Sequence, residues 1–174
     1  MAVTQNRDDM NSSILRWAWI GAILFGFVLV GAGGVMLLTG RAANNEIKDA
    51  LAAERIVTAA DSDLPNVAVT GPAEAKAQAD AIWAHTMKQT GGKTYAELPQ
   101  GDPLRATYLQ SVTLRTALME SYLAFKVADL VMGIGLIVAL LGASQVVLGI
   151  FLGLLVRGGA DAGKRVTSTA SVAL

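Results

Sequence analysis

WAWIGAILFGFVLVGAGGVMLL, residues 17–38, sets the architecture to expect. Its 22 residues carry no charge. A helix rising about 1.5 Å per residue needs about 20 such residues to cross the hydrocarbon core of a bilayer. A second run, from Leu130 to Val156, holds 27 uncharged residues. Backbone polar groups in lipid must satisfy one another, so two isolated spans are predicted to be helices. Trp17 and Trp19 stand at one end of the first run, where aromatic side chains favour the interface. That run exceeds the roughly 7–15 apolar residues of a cleaved leader, and Gly40-Arg41-Ala42 makes a poor cleavage site, so it is expected to be retained.

Outward from these runs, the reading is an all-α membrane protein. Two long transmembrane helices extend outside the membrane and carry a small, mostly helical extracytoplasmic domain. The predicted order is a cytoplasmic tail at 1–13, a first span at 14–39, the outer domain at 40–123, a second span at 124–156 and a cytoplasmic tail at 157–174. Orientation follows from basic residues near the spans. Arg7 and Arg16 precede the first, while Arg157, Lys164 and Arg165 follow the second against Asp161 alone. Residues 41–123 hold eight basic and ten acidic residues. Both termini are expected inside a plasma (inner) membrane, with the loop outside.

Composition limits the chemistry. The chain is 53% hydrophobic and 16% charged, against about 25% charge in a soluble domain. Basic and acidic residues balance at 14 each, so nothing points to a nucleic-acid partner. There is no cysteine, which excludes disulfides, thiolate metal sites and thiol catalysis.

Within the loop, helix formers at 41–56 place Ile47, Ala50 and Leu51 at helical spacing. Pro65, Gly71 and Pro72 then interrupt helix, and Val67 and Val69 alternate as in an extended segment at 57–71. Pro72 opens a helix predicted over 72–90, closed by Gly91-Gly92. Asp102 caps Pro103, and a helix from 103 meets no breaker before Gly133. Leu104, Tyr108, Val112, Leu118 and Tyr122 form its expected inward stripe, met by the i, i+4 pair Trp83 and Met87.

Several hallmarks of this region agree in order with a known family. They are Ala53-Glu54-Arg55-Ile56, Gly71-Pro72, Gln78-Ala79-Asp80, His85, the run GGKTYAEL at 91–98, Asp102-Pro103 and Arg105. Over about residues 53–135 the sequence resembles small actinobacterial, mycobacterial-type membrane proteins with two spans, often labelled aromatic ring-opening dioxygenases. The resemblance implies topology and origin, and the function of the family is not established.

The residues themselves argue against a dioxygenase. A facial-triad iron site needs two histidines and a carboxylate, and this chain has one histidine, His85. Asp80 and Glu97 are the acids expected near it. Thr90–Thr94 ends like a phosphate loop, but Met87 occupies the position of the required first glycine and a helix precedes it. No catalytic residue, cofactor or metal is expected.

The spans carry a different signal. Gly26, Gly33 and Gly40 repeat every seven residues, as do Gly135, Gly142 and Gly149, and Gly149 with Gly153 makes a G-x-x-x-G pair. Small residues let helices approach closely in lipid, here either within the hairpin or against another protein. Lys126 and Asp129, spaced i, i+3, are an expected ion pair at the membrane rim. Two spans cannot enclose a transport route alone. The expectation is therefore a non-catalytic accessory or stabilising subunit, bound to other integral membrane subunits and lipids. An actinobacterial lipid transporter of the mammalian-cell-entry (Mce) type or a respiratory complex would be its host. Two alternatives are a homo-oligomeric channel or scaffold, and a small-ligand-binding or enzymatic protein that uses His85.

Overall fold

A computed structural model describes the backbone of residues 2–172 and the side chains of residues 17–157. Among them are three helices and no strand: α1 (Ala2–Glu54), α2 (Pro72–Gln89) and α3 (Leu104–Val172). α1 and α3 are both long and apolar enough to cross a membrane. Only 11% of the most apolar stretch of α1 and 17% of that of α3 is buried within the chain, unlike the core helix of a soluble protein. Of the two tails expected at 1–13 and 157–174, only Arg157 lies among the residues whose side chains are described.

Contacts divide the chain into two units, Met1–Leu37 with Gly133–Leu174, and Leu38–Met132. In the first, the apolar stretches of α1 and α3 lie directly against each other. The second holds α2, the connecting segments and the adjoining parts of α1 and α3.

Local chemistry sets the boundaries in the second unit. α1 stops at Glu54 because Arg55 turns into the left-handed region, with φ 52°. Gly71 caps α2 in an extended conformation and Pro72 takes the first helical position, where a missing N–H costs nothing. Gly91 and Gly92 end α2 with φ of 63° and 80°, and the Gly92 N–H reaches back to the Met87 carbonyl at 2.7 Å. These two glycines thus stop a helix and turn the chain. Asp102 Oδ1 accepts from the Leu104 N–H at 2.9 Å and so caps α3.

The expected extended segment forms one antiparallel bridge, Val57 with Ala68. Thr58 is its fastener. Its N–H donates to the Val67 carbonyl at 2.9 Å, and its hydroxyl accepts from the Val67 N–H at 2.8 Å and donates to the Leu64 carbonyl. Alternation then turns Val69 inward, 1% exposed, while Val67 faces out. Leu51, Val69, Ala75, Ala79, Leu118 and Phe125 make the core. Alanines at 75 and 79 lie one turn apart and let α2 sit close to its neighbours.

Candidate functional site

The glycine stripes of the first unit face each other. A Cβ on Gly26 would stand 2.7 Å from the Gly142 carbonyl oxygen, and one on Gly142 would stand 2.6 Å from the Gly26 oxygen. Gly33 and Gly135 are related in the same way. Gly149 lies against Ile23 and the Trp19 carbonyl, and Gly153 against the Trp19 ring. In the second unit Gly40 meets Ala128 and Met132. At Gly26, Gly33, Gly135, Gly142 and Gly149 a Cβ would stand under 3.0 Å from an opposing main-chain oxygen, so backbone apposition this close requires glycine. The sequence left these stripes open to a second protein. The structure uses Gly26, Gly33, Gly135, Gly142, Gly149 and Gly153 within the chain. By contrast, a Cβ added at Gly21, Gly31, Gly34 or Gly133 would meet nothing within 4 Å.

The expected Lys126–Asp129 pair does not form. Lys126 instead lies over the ring of Tyr122, its Nζ 5.6 Å from the centroid. The ion pairs among the described residues are Lys76 with Asp80 and His85 with Asp61.

His85 is thus placed against an acid the sequence did not single out. Its Nε2 lies 2.7 Å from Asp61 Oδ2, on an exposed surface of the second unit. That hydrogen bond holds the Asp61 carboxyl below its ordinary range. Asp80 is engaged by Lys76, which is raised by that contact. Glu97 accepts from the Thr94 N–H at 2.7 Å and from its hydroxyl at 2.8 Å, and these bonds lower its pKa. Asp61, Asp80 and Glu97 therefore have separate duties. His85 fastens the loop after Thr58 to α2, as does Gln78, whose Oε1 accepts from the Ala59 N–H at 2.7 Å. No group of three or more metal-ligating side chains occurs among the described residues.

A row of stacked side chains joins α2 to α3. Trp83 meets Tyr108 edge to face at 6.2 Å, and Tyr95 lies 6.1 Å from Tyr108. Guanidinium groups close both ends, Arg105 at 3.9 Å over Tyr95 and Arg115 at 4.7 Å over Trp83. Arg105 Nη1 also donates to the Leu98 carbonyl at 2.7 Å. Tyr108 and Leu118 of the expected stripe are buried, and Leu104, Val112 and Tyr122 are half-buried. Phe125 and Ala128, at the start of the expected second span, are buried within the chain, 0% and 4% exposed.

A concave surface of the second unit lies between α1 and α3. One cavity of about 680 Å³ is lined by Ile47, Ala50, Leu51 and Ile56 opposite Leu114, Ala117 and Ala124, with Glu46, Glu54 and Glu120 among its walls. A second, of about 420 Å³, shares Ile47, Glu120 and Ala124 with it and reaches Thr39 and Val131. No residue of α2 lines either one. The groove is therefore open where α2 does not cover the α1–α3 pair. Sequence periodicity missed it because Ala50, Ala117 and Ala124 read as neutral helix formers. No family model, curated protein or solved structure matches this chain.

Proposed function

We propose that this chain is a non-catalytic accessory subunit that binds and stabilises a larger membrane complex. Its two apolar helices cross the membrane, both termini lie in the cytoplasm and the second unit lies outside. The low burial of the apolar stretches supports insertion, since water would not tolerate surfaces exposing Leu24, Phe27, Leu140 and Phe151. The basic residues after the second span support the orientation.

The observation that carries the reading is apolar surface beyond the lipid-facing stretches. Leu109, Leu114 and Leu123 of the second unit are 50%, 46% and 61% exposed. Exposed apolar side chains in a unit that also holds an open apolar groove support a contact surface for another protein. His85 and Asp61 fasten a loop to a helix and are read as structural. The host proposed for the chain is an actinobacterial membrane assembly, a lipid transporter of the Mce type or a respiratory complex.

Removal of the chain from its native cell tests this. The abundance of at least one other integral membrane protein should fall several-fold, because an unpartnered subunit is degraded. A membrane proteome unchanged in composition would overturn the stabilising role.

A further inference from the structure

Deepening the accessory-subunit reading on which it rests, we infer that the α1–α3 groove of the second unit receives one helix of a partner protein, apolar on one face and basic at its flanks.

Shape and length come first. The two cavities share three residues and run from Thr39 to Ile56 along the α1 side and from Leu114 to Val131 along α3. At 1.5 Å per residue the helical walls are about 23–26 Å long, the length of a helix of about 16 residues. The floor is built of alanine and aliphatic side chains, the pattern into which an amphipathic helix lays its apolar stripe. Alanine at 50, 117 and 124 keeps the floor shallow enough for a helix axis to approach.

Charge selects the occupant. Among the described residues, the only ionisable ones lining the groove are Glu46, Glu54 and Glu120, and no lysine or arginine lines it. All three are exposed, and none takes part in the ion pairs of the described residues. Acyl chains of anionic lipids would bring phosphate toward these carboxylates. A second copy docked groove to groove would set glutamate against glutamate. A helix with lysine or arginine spaced about eight residues apart matches Glu46 and Glu54, which are about 12 Å apart along α1. A third basic residue on its other edge would answer Glu120.

The test places a photoactivatable amino acid at Ala50 or Ala117 of the full chain in native membranes, and identifies the cross-linked peptide by mass spectrometry. The expected product is a segment of another protein with apolar residues at helical spacing and basic residues about eight apart. Glu46→Lys with Glu120→Lys should lower its yield at least about tenfold. Acidic residues at the partner's basic positions should restore it. Circular dichroism of the double variant, expected unchanged, separates lost docking from lost folding. Cross-links to lipid, to a second copy or to a segment without basic residues would overturn the inference, as would a yield insensitive to the charge changes. If other subunits still copurify while the groove cross-links to none of them, the groove assignment fails and the accessory role stands.

Discussion

A Cβ on Gly33 would stand 2.5 Å from the carbonyl oxygen of Gly135 and 2.6 Å from the Ala139 nitrogen. Two backbones have approached until only hydrogen fits between them. Replacing Gly33 or Gly142 by leucine should therefore separate α1 from α3, with an expected loss of about 1–3 kcal/mol per site from overpacking. Gly31 has open space at the same position and serves as the control. Thermal unfolding in detergent should show lower midpoints for Gly33→Leu and Gly142→Leu and no change for Gly31→Leu.

Phe125 is 0% exposed and packs in the cluster with Leu118 and Val69. Truncating it empties the middle of that core. Phe125→Ala should destabilise the second unit by about 3–5 kcal/mol. Denaturant unfolding of the full chain in detergent, followed by circular dichroism, measures this. A lipid-facing phenylalanine would give a much smaller loss.

These two sites show what the sequence made legible. Charge-free length made both long helices legible, because a segment that crossed lipid would have no other means of satisfying its backbone. Pro72, Gly91-Gly92 and Asp102 placed the ends of α2 and the start of α3 to within a residue, since each acts locally. Seven-residue spacing found the glycine stripes, but periodicity along one helix does not say which surface it meets. Phe125 was hidden for a related reason: an aromatic residue beside an apolar run reads the same whether lipid or α2 covers it. Thr58, Gln78 and Asp61 were invisible because their partners lie 9, 19 and 24 residues away in sequence.

The Asp61–His85 contact has a titration signature. Its hydrogen bond depresses the Asp61 pKa below the ordinary value of 3.8. The stabilisation is therefore fully present above that value and is lost as pH falls through the lower, folded-state pKa. Because the pair is exposed, its effect on overall stability should be small. Carbon-detected NMR of the Asp61 carboxyl should give a midpoint below that of an ordinary aspartate. In His85→Ala the midpoint should return to the ordinary range.

Membrane orientation is open to labelling, since the chain has no native cysteine. Gln100, exposed in the second unit, and Ser168, in the C-terminal tail, are the sites to convert. An impermeant thiol reagent on intact cells should modify Gln100→Cys and spare Ser168→Cys. The reverse pattern would invert the proposed topology.

The proposed accessory role requires a larger assembly of different membrane proteins. Its most direct measurement is the mass and composition of the complex released from native membranes by mild detergent, read by native mass spectrometry. The expected species holds the 18.1 kDa chain at fixed stoichiometry with other integral membrane subunits. Recovery of the chain alone, or only with copies of itself, would contradict it.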